Sequence, residues 1–396
     1  MPSPLDRVRS ALMDEGLQEA LLRAATNNQV KVESLLRERP ELAEAARRAR
    51  RAKDEAIGRL EELIDEAMRS LRAINAEPHY AETPEEAREA VARIVGSGKL
   101  VVMSKSMAAE EAGIREYLEE LGNEVWETDL GQLLVQLEGG RPMHTIAPAV
   151  HMTRERALRL VNEKLGANLP EDAGIEEIAG AARRFLREKI VKADVGISGA
   201  NALAADTGAI VLVENEGNIR LVTTASPIHI AVVPVDKIVP TLQDALTVAI
   251  AQAGYAGLYP PTYINVIAGP SSTADIEQVR VWGAQGPKEL HVVLLDNGRL
   301  RARETPLRDQ LRCIRCGRCQ FECPVWVHTA NNWGGPVYGG PMGLNWTAIT
   351  WSMEEASKLA FLCLGCGRCD EACPVEIPLS RLIRWLKTQA HRPGRS

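Results

Sequence analysis

Through residues 41–73 apolar side chains return every three or four positions. Ile57, Leu60, Leu63, Ile64, Ala67 and Leu71 fall on one face, the period of an amphipathic helix. Only Gly58 interrupts this run, and no proline does. Thr83-Pro84-Glu85-Glu86 then reads as a helix start: a capping hydroxyl, a proline in the first turn, and acids at the positive end of the dipole. Residues 1–95 are therefore expected to be helical. From residue 96 the period changes. Apolar runs of strand length stand at 99–103, 124–126, 194–198, 209–213, 219–224, 228–233, 263–267 and 290–295. Helical patterns occupy 107–121, 153–166, 175–191 and 240–253. Asn215-Glu216-Gly217-Asn218 forms a turn between two of the runs, and Asn297-Gly298 ends the last. Such alternation predicts an α/β domain over 96–300. Residues 301–396 hold every cysteine and many glycines and prolines. They are expected to form a separate cofactor module, helical at 346–361.

Composition narrows the class. A chain of 396 residues is too long for one ordinary core, so two or three units are expected. The net charge of −6 argues against nucleic acid as a partner, since phosphate binding needs a basic surface. The first 25 residues carry Asp6, Arg7, Arg9, Asp14 and Glu15, which leaves no apolar signal-peptide core. No run approaches the ~18 apolar residues of a membrane span. A cytoplasmic location is expected, where cysteines serve as metal thiolates rather than disulfides.

The eight cysteines fall in two copies of one pattern. Cys313, Cys316 and Cys319 step by threes before Cys323-Pro324; Cys363, Cys366 and Cys369 do the same before Cys373-Pro374. Three thiolates on a tight loop wrap one corner of an iron–sulfur cubane, while the fourth lies where the backbone is leaving. In two-cluster proteins that fourth cysteine ligates the other cluster. Two [4Fe–4S] clusters are thus expected: Cys313, Cys316, Cys319 and Cys373 on one, Cys363, Cys366, Cys369 and Cys323 on the other. Structural zinc favours separated C-x2-4-C pairs, a different pattern. Gly317, Gly365 and Gly367 let backbone approach the cages. Gly96-Ser97-Gly98-Lys99 is not a phosphate loop: Arg93 stands where the earlier glycine belongs and Leu100 where Ser or Thr does. With no site for a two-electron cofactor visible, the clusters point to single-electron transfer.

Further motifs follow in order: Ser104-Lys105-Ser106-Met107, Glu127-Thr128-Asp129-Leu130-Gly131, Ile146-Ala147-Pro148-Ala149-Val150-His151, Gly199-Ala200-Asn201, Thr207-Gly208, Asn215-Glu216-Gly217-Asn218 and Leu295-Asp296-Asn297-Gly298-Arg299. With the cysteine motifs they resemble the lactate utilisation protein B family of iron–sulfur LUD-domain proteins, over about residues 20–390. The resemblance implies an α/β LUD domain like the CoA-transferase and ribose-5-phosphate isomerase group, with a helical N-terminal region and a C-terminal α-helical ferredoxin module. It implies a role in oxidising L-lactate to pyruvate, in which the clusters are expected to make this chain a non-catalytic electron-transfer subunit. Its implied partners are a cysteine-rich-domain redox subunit and a second LUD-domain protein; apart from the resemblance, a flavin dehydrogenase is a further candidate partner.

Candidate pocket residues come from local context. Ser104, Lys105 and Ser106 occupy a strand-to-helix corner suited to an anion. His144 and His151 flank Pro148, with Arg154 following, as candidates to move a proton and hold a carboxylate. Glu216, a turn acid by local context, is a candidate pocket carboxylate through the CoA-transferase resemblance. Asn201, Thr207 and Gly208 follow a strand, where α/β folds place ligands. Two alternatives stay open. One is an iron–sulfur subunit of another 2-hydroxy-acid or quinone-linked dehydrogenase, with the LUD domain as docking scaffold. The other is a CoA- or sugar-phosphate enzyme with a redox appendage.

Overall fold

Residues 3–390 are described by the computed structural model; the ends of the first and last expected segments, 1–2 and 391–396, lie outside them. Twelve strands occur among these residues: β1 (Glu77–Ala81), β2 (Leu100–Met103), β3 (Glu124–Glu127), β4 (Val195–Ser198), β5 (Ala202–Ala204), β6 (Ile210–Glu214), β7 (Ile228–Pro234), β8 (Ile238–Val239), β9 (Tyr263–Ile267), β10 (Ser272–Thr273), β11 (Val281–Trp282) and β12 (Glu289–Leu295). Six make a wholly parallel sheet in the order β1-β12-β7-β4-β2-β3. A second, mixed sheet runs β8-β5-β6-β9.

The central strands read as unbroken apolar runs because both faces are covered, as parallel sheets require. On β12, Leu290, Val292 and Leu294 face the helix Leu60–Ala73, with Leu63 and Leu71. Val293 and Leu295 face the helix Pro84–Val95, with Ala87 and Val91. That second helix begins as its sequence demands: the Thr83 side chain accepts from the Glu86 N–H, with Pro84 in the first turn. Sheet membership starts at β1, so the first 95 residues are not helical throughout. A three-residue gap after the helix Leu60–Ala73 leaves Asn75 at φ 62° and turns the chain straight into the edge strand.

Two further expectations are corrected. Residues 219–224 form the helix Asn218–Ala225, not a strand. Gly217 at φ 81° starts the helix, and Val222 is buried in its packing against β4. The expected helix 107–121 breaks at Gly113, φ 64°, into Met107–Ala112 and Ile114–Glu120.

The cysteine-bearing stretch does not stand apart. One apolar core combines Val8, Leu21 and Ala49 of the N-terminal helices, Val211 and Val248 of the α/β domain, and Trp326, Trp333, Trp346 and Leu386 of the C-terminal module. Polar ties reinforce it. The Gln18 side-chain amide donates to the His328 carbonyl at 2.6 Å and that of Gln29 to the Phe321 carbonyl at 2.8 Å.

Candidate functional site

The two cysteine loops close into two cages. Cys313, Cys316 and Cys319 line one with Cys373; Cys363, Cys366 and Cys369 line the other with Cys323. The loops are pseudo-equivalent: Gly317 and Gly367 both take positive φ, 76° and 80°, before a one-turn helix. At the position of Gly365, φ 71°, the first loop has Arg315 at φ 59°. A side chain in that conformation costs about 1–2 kcal/mol, and Arg315 is held there by its partners, described below. Burial, followed by repulsion from neighbouring sulfurs, pushes the Cys319 thiol far up; burial pushes Cys316 and Cys373 up to about 12. Four adjacent thiols cannot all ionise unless a cationic centre sits among them. This donor set fits an iron–sulfur group. Backbone N–H groups of Gly365 and Ile377 already point at sulfur, 3.4 Å from Cys363 Sγ and 3.3 Å from Cys373 Sγ. The first cage is deep, with Cys313, Cys316 and Cys319 all buried, whereas Cys366 of the second is exposed.

A buried charge network fastens the deep cage to the α/β domain. Asp236, just beyond β7, accepts from Arg299 Nε at 2.5 Å and from Arg315 Nη1 at 2.5 Å, and the Asp236 carbonyl accepts from Lys53. Arg299 also grips Glu111 bidentately, at 2.8 Å twice, and Tyr338 donates to Glu111 at 2.8 Å. The Arg315 guanidinium lies 3.9 Å from the Trp346 ring centroid. Burial alone would raise the Asp236 carboxyl, but Arg315, Arg299 and Lys53 outweigh it and hold it far below the usual range.

Between cage and domain lies a cavity of about 600 Å³. Its walls come from the carboxyl ends of parallel strands: Ser104–Ser106 after β2, Asp129 after β3, Asn201 after β4 and Lys237 after β7. That is where open α/β sheets hold ligands. Arg315 lines both this cavity and the deep cage. Lys237 is 9% exposed, and its amine has no hydrogen-bond partner among the described residues. Burial, then repulsion by Arg315, lowers it to about 7. The hydroxyls of Ser104 and Thr145, both lining residues, are likewise buried without partners. Glu216 stands at the solvent-open mouth, accepting from the Leu130 N–H at 3.2 Å. Desolvation, then Asp129, raises its carboxyl, and its exposure tempers that shift.

The structure gathers only part of the expected pocket. Ser104, Lys105, Ser106, Asn201 and Glu216 share the cavity. Lys105 already donates to the Thr145 and Ile146 carbonyls, at 2.5 and 2.9 Å. Asn201 bonds Gln252 at 2.6 Å. His144, His151, Arg154 and Thr207 do not line it. His144 is a fastener: Nδ1 accepts from the Ile146 and Ala147 N–H groups, Nε2 lies 3.3 Å from the Gly317 carbonyl, and the ring stacks 4.0 Å from Phe321. Burial lowers it to about 3, so it is neutral. His151 faces Glu138 at 3.5 Å. Arg154 clamps the Glu171 and Ala173 carbonyls. The Thr207 hydroxyl accepts from the Ala209 N–H. Sequence reasoning missed Lys237, Asp236 and Glu111. The available signal was a charged pair directly after an apolar run, Val235-Asp236-Lys237.

Fold and cages together define an iron–sulfur protein whose α/β domain presents its strand-end cavity to a cysteine-bound centre. Residues 64–295 match the LUD domain, and 309–377 match the 4Fe-4S dicluster domain. The electron transport protein YkgF of Escherichia coli is 32% identical over 381 residues, spanning 95% of this chain and 78% of that one. Lactate utilization protein B of Bacillus pumilus is 33% identical, spanning 83% and 68%, and that of Bacillus subtilis 34%, spanning 77% and 62%. A solved DUF162 family protein from Deinococcus radiodurans is 16% identical with a TM-score of 0.33, covering 60% of this chain and 98% of that one. The chain belongs to the lactate utilization protein B family of LUD-domain iron–sulfur proteins. No helix among its described residues is long and apolar enough to cross a membrane.

Proposed function

We propose that this chain is the iron–sulfur electron-transfer subunit of a cytoplasmic system oxidising L-lactate to pyruvate, carrying two [4Fe–4S] clusters. The observation that carries it is the crosswise pairing of the cysteines, with a deep cage against the junction cavity and a shallow one at the surface. When bound, such clusters accept and release electrons singly. The chain's own residues supply the rest. Arg315 and its Asp236 partner fix the deep loop, and backbone N–H groups orient towards sulfur. The names of the relatives support lactate as the substrate of the system. The cysteine-rich-domain subunit, the second LUD protein and a flavin dehydrogenase belong to the same proposal, as does a CoA-transferase-like ancestry of the parallel sheet.

The cavity is proposed to take an organic anion, with Lys237 rather than the expected histidines as its principal charge. Losing one charged donor costs about 1.5–3 kcal/mol, roughly a tenfold to hundredfold change in affinity. Calorimetric titration of lactate, pyruvate and CoA into wild type and Lys237→Met tests it. Equal binding by both, or none by wild type, leaves the LUD domain a docking scaffold. For the main reading, the test is anaerobic co-purification with partners, then reduction of the clusters on adding L-lactate. Eight irons and eight sulfides are expected per chain, the sum of two cubanes. One zinc and no sulfide would overturn it.

A further inference from the structure

Away from the cavity, two copies of the triplet Glu-x-His lie side by side: Glu77-Pro78-His79 on β1 and Glu289-Leu290-His291 on β12. Residues two apart share one face of a strand. The strands are parallel, with Glu77 opposite His291, so the four side chains gather on the face that the helix Pro84–Val95 covers. His79 Nε2 stands 3.2 Å from His291 Nδ1, and Glu77 Oε2 is 3.3 Å from that same nitrogen. All three atoms lie within 4.8 Å of one another. On its far side, His291 Nε2 meets Glu289 Oε2 at 3.2 Å.

His291 Nδ1 thus has an imidazole nitrogen and a carboxylate oxygen close against it, three ligand-type atoms that a single cation could share. In a tetrahedral zinc site with bonds of about 2.0–2.2 Å, ligand atoms stand roughly 3.3–3.6 Å apart. The two separations at His291 Nδ1 are close to that edge. A carboxylate on the far nitrogen is the usual device for orienting a metal-bound imidazole. Arg93 opposes a cation near His79, and two carboxylates outweigh it.

We infer that Glu77, His79 and His291 form a zinc site, with Glu289 as the positioning residue of His291 and the fourth position open to water. The set of two imidazoles and a carboxylate suits zinc over calcium or magnesium, which take all-oxygen shells. The site ties β1, which pairs with β12 alone, to the rest of the sheet. It is independent of the electron-transfer reading.

The test uses full-length, cluster-loaded protein, so that the cysteines are occupied, equilibrated with micromolar free zinc and analysed for zinc and iron together. About one zinc per chain is expected in wild type. His79→Ala and the exposed Glu77→Gln should lose it with iron unchanged, and Glu289→Gln should bind about 10–100-fold more weakly. Zinc K-edge absorption of wild type should report only nitrogen and oxygen neighbours, a readout that does not depend on any variant folding. Absence of zinc from wild type would overturn the site. So would sulfur neighbours near 2.3 Å, or full zinc retention in folded Glu77→Gln.

Discussion

Asp236→Asn is the sharpest probe of how the cluster module is held. The carboxylate is fully buried and receives Arg299, Arg315 and, at its backbone, Lys53. Arg299 would keep its bidentate grip on Glu111. Arg315 would lose its only carboxylate partner among the described residues, leaving a guanidinium buried in a strained loop. An amide is isosteric, so the change isolates charge from volume. Removing one partner of a buried ion pair costs about 3–5 kcal/mol. With a guanidinium chloride slope of about 5 kcal/mol/M, the unfolding midpoint should fall by about 0.6–1 M. The assay is anaerobic denaturation followed by far-ultraviolet circular dichroism and by tryptophan fluorescence, since Trp333 and Trp346 are buried in this module. Glu376→Gln is the control: its pair with Arg50 is half-exposed and contributes about 0–1 kcal/mol. A midpoint for Asp236→Asn no lower than that control would refute the reasoning.

Cys373→Ser should remove the cluster of the first motif, about half the iron, and spare the signal of the second. Electron paramagnetic resonance that instead loses the shallow centre would show the cages to be uncrossed. Gly317→Ala should be worse than Gly367→Ala. Both need positive φ, but a methyl at 317 meets His144 at 2.7 Å while one at 367 meets open space. About 1–2 kcal/mol of backbone strain is common to both, and thermal denaturation should separate them. Glu127 is buried with one oxygen unpartnered, and desolvation, then Glu110, raises its carboxyl well above 4.5. The folded state therefore binds the proton more tightly. Its stabilising effect is complete below pH 4.5 and is lost as pH rises through the raised value. Glu127→Gln should accordingly flatten the stability profile above pH 4.5; an unchanged slope there would count against it.

How much was legible in the sequence depended on how local the chemistry is. Cluster ligation needs thiolates at fixed steps along one loop, so Cys313 to Cys323 and Cys363 to Cys373 announced both the group and the crossed pairing, which the cages match. Strand against helix was legible at most of the apolar runs, because the buried parallel strands carry apolar residues on both faces. It failed at 219–224, where packing against β4 overrode a β-branched stretch. The pocket was legible only at its strand-to-helix corner, Ser104–Ser106, and at Asn201 and Glu216. His144 and Arg154 have the right chemistry but are consumed by carbonyls and backbone N–H groups that no local pattern reveals. Lys237, Asp236 and Glu111 escaped notice because their meaning is non-local. A lysine after β7 becomes an unpartnered charge only when the deep cysteine loop closes over it. An acid on the helix Met107–Ala112 becomes a clamp only when Arg299, 188 positions later, is brought beside it. The two Glu-x-His triplets are the same case, since only the parallel register of β1 on β12 makes neighbours of them. Composition and spacing determine which groups a chain can hold; the burial and pairing that decide which side chains remain free exist only once the sheet is assembled.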